Sequence, residues 1–320
     1  MRILAVDGTR LLLPNHPSVC SQFGVHGFGP HADSERSMAT CSLLYDTLNK
    51  ITLDARIAPY SDSESSLLDK HLESMLRNDL LLLDRGYPSF KLIFKLQSRG
   101  IHFCMRMKTN WWKTVDEFTC SDKQETIIKV KLPKKDYREL NDFPEMIHQE
   151  IPCRLVKVAS AQGTIVLCTS LLDEQQFPLE VFQSLYGFRW EEEETYKMLK
   201  CRVEVEDFTG KTSRAVQQDF YAKIFMMNLC AMFVHPIDEK VIKEFKANAD
   251  RKYGQKINWT NALSVTRNLL IGMFCKKQTK KALERLQHLV YNTREPVRIG
   301  RHAKRKNRPK RQYCLNYKTL

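Results

Sequence analysis

The ten cysteines of this 320-residue chain include no C-x-x-C pair, and its nine histidines are equally scattered. That excludes a cysteine-framed zinc site and a disulfide scaffold, and it reads as the reduced, mostly buried thiols of a cytosolic protein. Long apolar runs are also missing. The strongest, FYAKIFMMNLCAMFV at 220–234, is short and contains Lys223 and Asn228, so a buried helix is expected there and no membrane span. Asp7 and Arg10 interrupt the first apolar stretch, which argues against a signal peptide. No internal repeat or low-complexity tract is present. Acidic residues are the minority charge: 37 Asp and Glu stand against 51 Lys and Arg, a formal +14. Such a surplus points to a polyanionic partner, with nucleic acid ahead of membrane.

What is present is a change of pattern along the chain. ILAVDG at 3–8 is an apolar run ending in Asp-Gly, a strand running into a turn. The segment from Leu11 to Asp33 is rich in Pro and Gly and reads as a long loop. MATCSLLYDT and ITLDARIAPY follow as two strands around a turn at 48–50, then a helix from Ser65. DLLLLDRGY reads as a strand buried on both faces that ends at Asp84. Pro88 opens a helix through Leu96, and IHFCMRMK is a fifth strand. The order predicts a mixed α/β sheet whose first and fourth strands each deliver an Asp to the carboxyl edge, where open sheets place their sites.

Residues 110–175 read as a mostly β insertion, with TIIKVKLP as one strand and a hairpin of CRLVKV against TIVLCTSL. Beyond residue 210 the pattern turns helical, at roughly 214–234, 237–248, 258–275 and 278–291. The tail REPVRIGRHAKRKNRPKR has nine Lys or Arg in eighteen residues and reads as a flexible arm for phosphate contacts. The expected division is 1–109 and 176–212 for a core in two parts, 110–175 for the insertion, 213–293 for a helical region and 294–320 for the arm.

One stretch carries most of the chemistry. SLYGFRWEEEETYKMLKC, residues 184–201, has no Pro, and its one Gly is near the start, so it reads as a helix. With Tyr186 at zero and about 100° per residue, Arg189 falls near 300°, Glu193 near 340° and Lys200 near 320°. Glu191 and Glu194 point elsewhere, at about 140° and 80°, and Glu192, near 240°, falls on the core-facing stripe. Glu193 alone among the four glutamates shares a line with Tyr186, Arg189 and Lys200. The bland reading is an exposed helix with i,i+4 ion pairs. The functional one is a carboxylate for a metal beside cations and a phenol for phosphate oxygens. Asp7, Asp84 and Glu193, brought together, would repel without cations, and two Mg²⁺ ions would make the cluster favourable.

Here the sequence resembles a known family. Asp7 in AVDGT, Asp84 in LLDRGY and Glu193 stand in the order of the DDE transposases on an RNase H-like fold. Tyr186, Arg189, Glu193 and Lys200 match the Y-x2-R-x3-E-x6-K signature of the insertion sequence family 4 group. The resemblance covers about residues 2–210 and implies an RNase H-like mixed sheet with a β insertion before the glutamate helix. It implies that Asp7, Asp84 and Glu193 hold two Mg²⁺ ions, with Mn²⁺ as a substitute. Tyr186, Arg189 and Lys200 would contact phosphates of double-stranded DNA. It further implies cleavage at the inverted-repeat ends of a mobile element and strand transfer into target DNA, by a homodimer acting in the bacterial cytoplasm on nucleoid DNA. Related proteins carry a helical segment before the first Asp, whereas Met1 here begins the catalytic strand itself. A non-catalytic DNA-binding remnant or inhibitor is the alternative reading. Trp111 and Trp112 between Lys108 and Lys113 offer a surface for a flipped base, and a packed pair is the simpler expectation.

Overall fold

Apolar runs mark the long strands, and eight of the strands fall into one large sheet. The structure, a computed structural model, describes residues 1–27, 35–110, 112–160, 163–248, 250–275 and 278–298. The first part of the chain forms β1 (Ile3–Leu12), α1 (Pro17–Phe23), the two-residue strands β2 (His26–Gly27) and β3 (Glu35–Arg36), β4 (Met38–Asp46), β5 (Ile51–Pro59) and α2 (Glu64–His71). Then come β6 (Leu80–Leu83), α3 (Phe90–Ser98), β7 (His102–Arg106), α4 (Lys113–Cys120), β8 (Glu125–Lys131), β9 (Glu150–Ser160) and β10 (Gly163–Thr169). The remainder is α5 (Val181–Gly187), α6 (Trp190–Cys201), α7 (Ser213–Glu244), β11 (Gln255–Ile257), α8 (Trp259–Phe274), α9 (Thr279–Asn292) and β12 (Arg294–Pro296).

Eight strands form the main sheet in the order β5-β4-β1-β6-β7-β10-β9-β8. β1, β4 and β5 pair antiparallel, while β1–β6 and β6–β7 pair parallel. Three antiparallel strands followed by two parallel ones are the RNase H-like sheet that the resemblance implied. Leu80–Leu83 of β6 are all fully buried, as a central strand covered on both faces requires. The three strands within 110–175 continue the same sheet: β10 pairs with β7 and carries β9 and β8 outward. They therefore lengthen the edge beyond Asp84.

Helices cover both faces. α2, α3 and α4 pack with Leu81, Leu83, Phe103 and the inner side of β8 and β9. α6, α7, α8 and α9 close over Leu11, Cys41 and Leu43 from the other side. α5 sits beside them, with Phe182 and Tyr186 against Leu82, Val156 and Leu167. Local chemistry starts these helices: Ser63 caps α2, Ser89 caps α3 and Thr212 caps α7, each accepting a backbone N–H three residues on. α7 is long and apolar enough to cross a membrane by length and composition, but Val216, Phe220, Ile224, Cys230 and Val234 are buried in the core. The nine described cysteines are all free, and Cys41, Cys104, Cys153, Cys168 and Cys230 are buried.

The structure departs from the sequence reading in several places. β1 runs on to Leu12, and α1 occupies part of the expected loop, because Pro17 is at its first turn, where proline is tolerated. Trp112 opens the unexpected α4 and is buried, stacked on Phe90 with ring centroids 4.4 Å apart; Trp111 lies outside the described residues. Arg294–Pro296 is a strand paired with β11, and the rest of the basic arm beyond residue 298 lies outside the described residues. α7 passes through Pro236 without the break expected between 234 and 237. A proline there removes one backbone bond and crowds the preceding turn. Pro236→Ala is therefore expected to stabilise the fold by about 1–3 kcal/mol, measured by chemical denaturation, and a less stable variant would show that the proline ring contributes more by packing than it costs the helix.

Candidate active site

The sheet itself brings the two aspartates together. β1 and β6 pair in parallel, with Ile3 opposite Leu80 and Ala5 opposite Leu82. Continuing that register by two residues sets Asp7 level with Asp84, which directly follows β6. Neighbouring strands lie about 4.8 Å apart, so the middle of β1 and the end of β6 set the two aspartates side by side. Asp7 is largely buried, and its carboxyl is pushed up to about 6 from 3.8, first by burial and then by the negative charges of Glu64 and Asp84. The Gly8 amide, 2.8 Å from Oδ1, and the charge of Arg189 oppose that rise.

Glu64 was not among the residues singled out from the sequence. It opens α2 and lies directly over Gly8: a Cβ placed on Gly8 would come within 2.5 Å of Glu64 Cγ. A glycine after the first Asp is what lets that side chain approach. The available signal was its place in the first turn after the Ser63 cap, on a helix that follows directly from the third strand.

The segment around Glu193 is two helices. α5 ends at Gly187 and α6 begins at Trp190, and Arg189, Glu191 and Glu192 each donate to the carbonyl three residues back. Such tighter turns advance about 120° per residue, so an angle count at about 100° does not carry across the junction. Tyr186 consequently belongs to the buried face of α5. It is 6% exposed, and its hydroxyl donates to the Leu83 carbonyl at 3.3 Å, immediately before Asp84. Arg189 is 5% exposed and donates from Nη2 to Glu193 Oε1 at 2.8 Å. Its guanidinium also lies over the Trp190 ring, 5.0 Å from the centroid. The Glu193 side chain remains 31% exposed. Lys200 donates to the Arg10 carbonyl at 2.6 Å and fastens the end of α6 to β1.

Glu192, the glutamate that the angle count placed on the core stripe, is fully buried. Its Oε1 accepts the Asp7 amide at 2.6 Å, and burial together with the Asp7 charge pushes its carboxyl well above the usual range. Tyr196, one turn on, donates its hydroxyl to the Asp7 carbonyl at 2.7 Å and accepts the Leu43 amide at 3.0 Å. Ser42 also donates to the Asp7 carbonyl, at 3.1 Å, and is linked through His71 to Asp54. Tyr87 faces the same group; Asp7 and Glu192 are the charges that it feels most. Among the described residues, neither its hydroxyl nor Glu192 Oε2 nor Arg189 Nε meets a hydrogen-bond partner.

The donor set is chemically suited to a hard divalent cation, since all its members are carboxylates and one buried oxygen stands without a partner. Among the described residues, no three side chains already close on one point as ligands do. Beyond Asp84, Arg85, Arg106 and Lys108 line a groove of about 420 Å³ against Thr164 of the insertion. Another cavity, of about 600 Å³, is lined by Tyr45, Glu191, Glu194 and Trp259 and by neither aspartate.

An Asp within the first strand, level with an Asp just past the parallel strand beside it, under a helix bearing Glu on an RNase H-like sheet, defines the class. The chain matches the transposase DDE domain over residues 1–229 and belongs to that family. It is 24% identical over 233 residues to transposase InsG for insertion sequence element IS4 of Escherichia coli (strain K12), a match covering 72% of this chain and 51% of that protein. It thus spans about half the length of the curated relative that it matches. Its fold is similar to the piggyBac transposase in a synaptic complex with hairpin DNA, with a TM-score of 0.50 and 9% identity over 91% of this chain and 57% of that one.

A raised carboxyl makes the metal-free fold weaker as pH rises. Below 3.8 Asp7 is protonated in both states; between 3.8 and about 6 the unfolded chain gives up the proton first, and above that window the loss is complete. Asp7→Asn is therefore expected to be more stable than the parent at pH 7 by up to ~3 kcal/mol, and nearly equal to it at pH 3.5. Chemical denaturation at the two pH values in EDTA measures it, and a difference that does not grow with pH would refute the assignment.

Proposed function

We propose that the chain is the catalytic core of a DNA transposase that cleaves phosphodiester bonds at the ends of a mobile element and joins them to target DNA. The observation that carries this is the pair Asp7, within β1, and Asp84, just past the end of the parallel β6 beside it, under an α6 fastened to Asp7 itself, in a chain of the transposase DDE domain family. Asp7, Asp84 and Glu193 would hold divalent cations, two Mg²⁺ ions with Mn²⁺ as a substitute. Bound there, the ions supply charge stabilisation at the attacking and leaving oxygens.

The chain's own residues divide the remaining work. Arg189 holds Glu193 from one side, and its fork has a further N–H, at Nε, for a phosphate oxygen. Tyr186 fixes the carbonyl before Asp84 and so orients that carboxylate. Lys200 keeps the end of α6 on β1. In this arrangement Tyr186 and Lys200 act on phosphate chiefly by positioning the groups that touch it. The partner is double-stranded DNA, at inverted-repeat ends and at the target, with the protein as a homodimer on nucleoid DNA.

Incubation with duplexes carrying the element's flanking ends tests this. Nicking is expected in Mg²⁺, with binding but no cleavage in Ca²⁺. Asp7→Asn, Asp84→Asn and Glu193→Gln should each lower cleavage by roughly 100-fold or more while retaining DNA binding. Glu194→Gln, exposed and paired with Lys197, should cleave normally; equal loss in that variant would overturn the choice of glutamate.

The basic arm gives a second measurement. Because Arg294–Pro296 is paired in a strand, the informative deletion removes residues 299–320. Binding of every duplex should weaken alike, and the log–log salt slope should shrink by about 0.9 for each phosphate that the arm no longer neutralises. An unchanged slope would exclude the arm from DNA binding.

A further inference from the structure

Glu192 is only a fastening in the reading above and no ligand, yet it is the glutamate that touches the first aspartate. Oε1 accepts the Asp7 amide, and Oε2 is buried with no hydrogen-bond partner among the described residues. A core position on α6 is filled at lower cost by an aliphatic side chain, as Leu199 does further along the same helix. An ionised Glu192 leaves a desolvated charge beside a second carboxylate. A protonated Glu192 leaves its hydroxyl hydrogen without an acceptor. Neither protonation state is satisfied by the protein. The Tyr87 hydroxyl, from a different element, is buried and without a partner in the same place. Unmatched polar atoms from two separate elements around one aspartate mark the place of something that binds there.

We infer that Glu192 is a fourth carboxylate of the cation site, with Oε1 fastening the Asp7 amide and Oε2 the open donor beside Asp7, Asp84 and Glu193. This rests on the reading of the site as one for divalent cations. A cation on Oε2 removes both difficulties at once: it neutralises the buried charge and gives the open oxygen a partner. With Glu192 added to Asp7, Asp84 and Glu193, and Glu64 beside Asp7, the site has more carboxylates than two aspartates and one glutamate, which favours a doubly charged ion over a monovalent one.

Mn²⁺ titration of the full chain without DNA, followed by the electron paramagnetic resonance of free Mn²⁺, separates ligation from fastening. Glu192→Gln retains an oxygen that can accept the Asp7 amide and loses the charge. It is expected to bind Mn²⁺ roughly 10- to 100-fold more weakly than the parent, while melting no lower than the parent in EDTA. Glu192→Leu suits the apolar surroundings and covers the case in which Gln packs poorly; it too should fold and bind weakly. Glu194→Gln should bind as the parent does, and Asp7→Asn should lose binding.

Parental affinity in Glu192→Gln or in folded Glu192→Leu, with Asp7→Asn still impaired, would show that Glu192 only fastens Asp7. That outcome overturns the inference and leaves the cation site standing. If the parent and Asp7→Asn bind Mn²⁺ alike, the cation reading itself fails and the inference falls with it.

Discussion

The contact between α6 and Asp7 organises the site. Glu192 and Tyr196, four residues apart on one helix, take the amide and the carbonyl of the same strand residue. The two partners are separated by 185 and 189 positions in the chain, so the contact closes a loop that holds the whole insertion. The entropy of that closure grows only slowly with length, which is why a long insertion is tolerated between Asp84 and α6. Without this grip α6 would have only its apolar face and the Lys200 contact at its far end to set its height on the sheet, and an apolar face does not fix register as two directed hydrogen bonds do. α5 works the same way one strand over, with Tyr186 on the Leu83 carbonyl. The helix pair thus holds both strands at or directly beside their aspartates, and it does so through backbone atoms.

A second layer backs the first. Ser42 donates to the Asp7 carbonyl, His71 bridges Ser42 and Asp54, and Arg56 also binds Asp54. The chain of polar contacts runs from β5 through β4 to β1, beneath α2. Burial would raise the Asp54 carboxyl, but the hydrogen bonds from His71 and Arg56 outweigh it and hold it below the usual range. The buried His71 therefore reads as a positioning residue of the strand rather than as a nucleophile's partner. A Ser-His-Asp sequence of contacts is used here to keep one carbonyl in place.

β6 and Asp84 were legible in the sequence because an apolar run ending in Asp states where that strand stops, whereas β1 passes through Asp7-Gly8 and is carried to Leu12 by its pairing with β4. The parallel register that levels Asp7 with Asp84 was not legible, since nothing local encodes which residues of two distant strands pair. The misreading at 184–201 has a definite cause: the count assumed a uniform rotation per residue, and three consecutive-turn contacts of the tighter kind fall between Tyr186 and Glu193. Glu192 falls on the core face as the count has it, and its reason to be there was not legible, because the Asp7 amide that it binds lies 185 positions away in the chain. α1 and α4 were missed for the opposite reason, as Pro17 and Trp112 look like loop residues until a helix is seen to begin on them. At Pro236 the surrounding helix overrode a local break signal.

The charge distribution sets the last constraint. On the proposed function, a duplex brought to Asp7, Asp84 and their neighbours before the divalent cations are bound meets a concentration of negative charge, although the chain as a whole is at +14. Repulsion over the few ångströms between a phosphate and a buried carboxylate is stronger than an even surface excess could offset, because screening acts within about 10 Å at ordinary ionic strength. Cations must therefore stand at the rim. Arg85, directly after Asp84, and Arg106 and Lys108, at the end of β7, are in that position. None of the three has a carboxylate partner among the described residues, whereas Arg189 inside the site is already committed to Glu193. The extension of the sheet by β10 completes the wall of that groove through Thr164 and Val166. The insertion's placement on the edge of β7 then has a physical consequence: it makes a positive margin for a negative centre, and the same edge strand that could have been left open to aggregation is covered.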